Sequence, residues 1–205
     1  MPDKQVLAKQ LTPFLPEEAV DIAAGWIIDY KITVTITRKR NSILGDYRWP
    51  NKGKGHRISV NGDLNRYAFL VTLVHEVAHL TTWEKYGNAV SSHGMEWKKE
   101  FKKLMDQFTG RRIFPEDVRT ALKNYFVNPA ATHCADPVLV KVLNQYNRQP
   151  VFHLEDLEPH GLFIWKDGRV FKKGEKLRKR YKCIELRTNR MYLFSPVAEV
   201  KKMEG

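Results

Sequence analysis

Hydrophobic residues between positions 3 and 29 recur at helical spacing. Val6, Leu7 and Leu11 come first; after a break at Pro13 and Pro16 follow Ala19, Val20, Ile22, Ala23, Trp26 and Ile27. From Tyr30 the period drops to two: Ile32, Val34 and Ile36 alternate with lysine and threonine, which predicts a half-buried strand. Arg38 to Ser42 reads as a turn, Ile43 to Trp49 as a returning strand, Pro50 to Gly55 as a loop, and Arg57 to Val60 as a third strand. Asn61-Gly62-Asp63 is expected to cap a helix that runs to about Tyr86 and stops at Gly87-Asn88. Residues 68–80 of that helix are apolar on nearly every side, so it should be buried at the centre of the fold. A further helix, starting near Ser91-Ser92 and ending at Gly110, carries Trp97, Phe101, Leu104 or Met105, and Phe108 on one face.

Residues 115–126 and 136–146 read as two more helices. The chain then turns to short strands at 162–165, 169–172, 180–186 and 191–194, with turn signals at Asp167-Gly168 and Thr188-Asn189. The fold class is therefore α+β. The expected division is a core over 1–128 and, over 129–205, a helix followed by a basic β-rich tail.

Composition narrows the class without changing this picture. With 205 residues, 42% hydrophobic and 28% charged, the chain has the makings of a globular protein rather than a disordered one. No apolar run reaches the length of a membrane helix, and the charged N-terminus lacks a signal-peptide core. Two cysteines, Cys134 and Cys183, exclude a disulfide framework and a four-cysteine zinc ribbon within this chain. No membrane partner and a cytoplasmic, intracellular location are expected.

Chemistry concentrates in His75-Glu76-Val77-Ala78-His79, inside the buried helix. Four residues of separation put two side chains about 40° apart around the axis and roughly 6 Å along it. Two imidazoles so placed can converge on one ion. Glu76, about 100° round from His75, falls near the ion's open position, where it can act as general base toward water on the metal. Two histidines and a glutamate in the most apolar helix would otherwise cost several kcal/mol. A third ligand is needed. The metzincin spacing fails, because Lys85 and Thr82 occupy the positions that need histidine and glycine. His93, Glu96 and Glu100 are the candidates, with His93 preferred for its place at a helix start beside Gly94; Tyr86, Tyr47 and Arg48 are candidates for oxyanion stabilisation.

HEVAHL, the HGMEW that opens the next helix, and TRKRNSILGDYRWP followed by ISVNGDL upstream resemble the SprT-like metalloprotease family. The resemblance covers roughly residues 15–130 well and the tail more loosely. It implies a zincin-like core with a mixed sheet over two helices, His75, His79 and His93 as ligands of one Zn2+, and Glu76 as catalytic acid/base. It further implies that the strand at 43–49 forms a rim for extended protein substrates, and that those substrates are DNA-associated, as in repair of DNA–protein crosslinks. Many members carry a zinc ribbon after the core. Here Phe163, Ile164 and Trp165 stand where a first cysteine pair would, so hydrophobic packing is expected to hold the tail. A glutamate-ligand zincin of other specificity, or a non-catalytic zinc-containing nucleic-acid-binding protein, is the alternative.

A net charge of +12 favours a polyanionic partner. Two basic clusters are expected to meet single-stranded or junction DNA. One contains Arg38, Lys39, Arg40, Arg48 and Trp49, and the other Lys172, Lys173, Arg178, Lys179, Arg180 and Lys182. A nucleoid-associated location would follow.

Overall fold

The computed structural model describes residues 3–40, 43–110, 113–127 and 136–203. Among these, six α-helices and eight strands in two sheets form an α+β fold. None of the described helices is long and apolar enough to cross a membrane.

Two compact units divide the chain, Met1–Tyr146 and Asn147–Gly205. The sequence suggested a division at 128. The helix at Pro137–Asn144 instead sinks Leu139 and Leu143 into the core of the first unit, which moves the division past it. Asn128, Pro129 and Cys134, like Asn41 and Ser42 of the expected turn, lie outside the described residues.

In the first unit, helices α1 (Lys4–Leu11) and α2 (Glu17–Asp29) are separated by a short turn, with Pro16 at the N-cap of α2. Strands β1 (Thr33–Thr37), β2 (Gly45–Arg48) and β3 (Arg57–Asn61) form a mixed sheet. β3 is central, parallel to β1 and antiparallel to β2, so β2 is an edge strand. Alternation in β3 buries Ile58 and Val60.

Helix α3 (Arg66–Tyr86) starts later than its sequence suggested. The cap is Asn65, whose side-chain oxygen accepts from the N–H groups of Tyr67 and Ala68. Asn61 is unavailable for that task because it closes β3, its side chain accepting from Thr37 and Arg40. An all-round apolar helix needs cover on more than one side. α3 finds it in β2 and β3 and in helix α4 (Met95–Thr109), which buries Trp97, Phe101, Leu104, Met105 and Phe108. Each such side chain contributes about 1.5–3 kcal/mol by leaving water. Helices α5 (Glu116–Val127) and α6 (Pro137–Asn144) pack on one another, and Asn65 donates to the carbonyl of Leu143 near the end of α6.

The second unit is an antiparallel sheet in the order β7-β6-β5-β4-β8. Its strands are β4 (Leu162–Ile164), β5 (Val170–Lys176), β6 (Tyr181–Glu185), β7 (Met191–Phe194) and β8 (Lys201–Lys202), the last not anticipated from sequence. One face packs Phe163, Phe171, Cys183 and Phe194 together with Leu154, Leu157 and Val200. The three phenylalanine rings lie 5.0–5.5 Å apart between centroids. Apolar packing therefore fills the core of this unit, and Cys183 is one of its fully buried members.

Candidate metal centre

His75 and His79 stand one turn apart on α3, and His93 comes from the segment just before Gly94, the N-cap of α4. The helix begins at Met95, beyond the expected start at Ser91-Ser92, and Ser92 Oγ instead lies 3.3 Å from His93 Nδ1. The Nε2 atoms of His79 and His93 lie 3.2 Å and 3.3 Å from His75 Nε2. Tetrahedral bonds of ~2.0–2.1 Å, the lengths zinc prefers with imidazole, place neighbouring donor atoms about 3.3 Å apart. Donor type and spacing thus both fit a zinc ion. Trp97, fully buried on α4, packs against all three imidazoles at centroid distances of 4.7–5.4 Å and gives the cluster an apolar floor.

Burial disfavours the charged form of the His79 and His93 rings. It is the main cause that pulls His79 down to about 4, with His93 adding to the effect, and it lowers His93 as well. Both therefore stay in the neutral form that a metal requires near pH 7. Glu96 and Glu100 do not join the group. Among the described residues the three histidines are the one set of three or more potential ligands that converges, and Glu100 is paired with Lys85.

Glu76 is buried to 6% exposure, and its carboxyl is pushed up to about 8. Burial is the largest cause, the charge of Asp46 adds to it, and Arg40 opposes it. The edge strand comes very close: a methyl group at Gly45 would stand 2.5 Å from Glu76 Oε1. Two residues on, Tyr47 lies beside His79, the rings nearly parallel at 4° with centroids 6.4 Å apart. Its hydroxyl is 2.9 Å from His56 Nδ1, and His56 Nε2 is 2.8 Å from Glu84 Oε1. Burial, helped by the charge of Glu84, holds the Tyr47 phenol above its usual value. Of the other oxyanion candidates, Tyr86 is exposed at the end of α3 and Arg48 is paired with Asp46. His56 and Glu84 drew no attention in the sequence because neither belongs to a motif.

The basic side chains separate into free and committed ones. Arg38 and Lys39 are exposed, Lys39 near Asp63; Arg48 is exposed and Trp49 is 49% exposed. Arg40 is tied into the fold through Asn61 and Ser59. In the second unit Lys172, Arg178, Lys179 and Arg180 are exposed, and Lys182 pairs with Glu175. Lys173 departs from expectation: at 5% exposure, its ammonium donates to the carbonyls of Glu155 and Leu157 beneath the Tyr181 ring, so it has no reach toward a phosphate. Register explains this, because Lys173 shares the inward face of β5 with Phe171.

Two imidazoles on a buried helix and a third from the segment before the next helix converge beside a carboxyl, and this donor set could hold a metal ion. Residues 26–119, which hold all three histidines, match the SprT-like family, whose domains are of the zinc metalloprotease type. No curated protein and no solved structure matches the chain.

Proposed function

We propose that the chain is a zinc-dependent endopeptidase with a zincin-like core, acting on DNA-associated proteins. The observation that carries this reading is the convergence of His79 and His93 on His75, their Nε2 atoms 3.2 and 3.3 Å from His75 Nε2, with Glu76 on the intervening turn of α3. A zinc ion held by these three imidazoles would supply Lewis-acid polarisation of the scissile carbonyl and acidify water.

The side chains provide the remainder. Glu76 takes a proton from the attacking water at a carboxylate oxygen and delivers it to the leaving amine. Its raised proton affinity suits a group that must do both near neutral pH. Edge strand β2 runs alongside, and its unpaired backbone edge suits an extended substrate bound by strand addition. Trp97 keeps the inner side of the centre apolar, which strengthens electrostatic interactions there.

The association with DNA is supported by the +12 charge and by the exposed Arg38, Arg48, Lys172, Arg178, Lys179 and Arg180. A protein bound to the same DNA would meet the cleft at high effective concentration, so the cleft itself can be tolerant of sequence.

A protease assay on a DNA-binding protein, with and without single-stranded DNA, tests the reading. Wild type loaded with zinc should cleave, and Glu76→Gln should retain zinc and DNA affinity while losing cleavage. Equal cutting by the two proteins would remove Glu76 from the mechanism.

A further inference from the structure

Beside the metal centre lies a chain of hydrogen bonds drawn from three separate elements. Tyr47 belongs to β2, His56 immediately precedes β3, and Glu84 sits in the last turn of α3. A carboxylate only accepts hydrogen bonds, so the 2.8 Å contact with Glu84 puts a hydrogen on His56 Nε2. In the neutral ring Nδ1 then carries a lone pair, and Tyr47 donates its hydroxyl hydrogen to it across 2.9 Å. His56 is 8% exposed and is boxed in by the edge of the Trp83 ring at 5.6 Å, so its orientation is held on two sides.

We infer that Glu84, His56 and Tyr47 form a positioning chain for the catalytic centre, with Tyr47 as a positioning residue and not an oxyanion donor. The proton of Tyr47 is already committed to His56, which leaves the phenol no hydrogen to offer a substrate. What the phenol gains is a fixed ring, nearly parallel to that of His79. The same bonds pin β2 to the end of α3, and β2 carries Gly45, the residue against which Glu76 rests. The chain thereby reaches both a metal-binding imidazole and the general base from a carboxylate two turns further along α3. This inference rests on the peptidase reading for its kinetic consequence, though the tautomer it requires does not.

The experiment uses the full chain with the substitutions Tyr47→Phe and Glu84→Gln, both close to the parent side chains in shape. Loss of an outer partner of this kind costs about 10–100-fold in activity. The expected result is a fall of about tenfold or more in kcat, with KM, zinc content and Tm close to wild type. Nitrogen-15 NMR of the metal-free protein should show His56 protonated at Nε2 and bare at Nδ1, and Glu84→Gln should mix the two tautomers. Unchanged kcat in both variants overturns the inference, as does a His56 protonated at Nδ1. A drop in Tm that accounts for the lost activity overturns it too, since the chain would then be a structural strap. Glu76→Gln is the control: if cleavage ignores that substitution the peptidase reading fails, whereas a Glu76-dependent enzyme indifferent to Tyr47→Phe and Glu84→Gln removes the positioning chain alone.

Discussion

Gly45 faces Glu76 across a gap that has no room for a methyl group, since a Cβ there would also lie 2.8 Å from Glu76 Cγ and from Thr72 Cγ2. The absence of a side chain at one residue of the edge strand is what lets the carboxyl and the strand lie side by side. Gly45→Ala should therefore displace either β2 or Glu76. Overpacking of this sort costs about 1–3 kcal/mol, and a shift of 1 Å at a reacting group costs about a hundredfold in rate. A folded variant with kcat/KM down by that order is expected; full activity in a stably folded Gly45→Ala protein would contradict the close approach.

Metal removal should be visible in stability. The imidazoles converge only in the folded chain, so zinc binding adds to the folding free energy. At a free zinc concentration a hundred times Kd the gain is about 2.7 kcal/mol. Chelation should lower Tm and zinc should restore it, while His93→Ala should abolish most of the zinc-dependent rise. A rise of the same size in His93→Ala would remove His93 from the ligand set.

The Asn65 cap serves two helices, because its oxygen accepts from the first turn of α3 and its amide donates to Leu143 of α6. Asn65→Ala is expected to cost about 1–2 kcal/mol of stability in the first unit. Denaturant titration measures this. Asp63→Ala, within the Asn61-Gly62-Asp63 stretch that the sequence offered as a cap, should cost less.

For DNA, removal of exposed and buried cations should differ. Changing Arg178, Lys179 and Arg180 together to alanine should weaken single-stranded DNA binding and reduce the slope of log K against log salt by about 2. Lys173→Met should leave that slope alone and instead destabilise the second unit by about 1–3 kcal/mol, because two carbonyls lose their buried donor. Binding isotherms at several salt concentrations, paired with thermal melts, separate the two behaviours.

The helices of the first unit and the histidine group were legible in the sequence because their signals are local. Four-residue spacing puts His75 and His79 on one face, and the apolar run around them predicts burial. The alternation in VFKK also held the answer for Lys173, had it been counted from Phe171. The positioning chain was not legible: Tyr47, His56 and Glu84 are brought together by strand pairing and by the packing of α3 on β2, which no spacing rule encodes. The cap moved from Asn61 to Asn65 for a similar reason, since pairing of β3 with β1 claims Asn61 as its last residue. Gly45 falls inside the strand expected at 43–49, and the nearness of Glu76 explains why that strand carries a glycine there.

β2 is four residues long, which at ~3.3 Å per residue makes a rail of about 13 Å. A polypeptide laid against it would need to be straight for only a handful of residues, so a frayed terminus or a loop pulled open would suffice, and a target could be nicked without first being wholly unravelled.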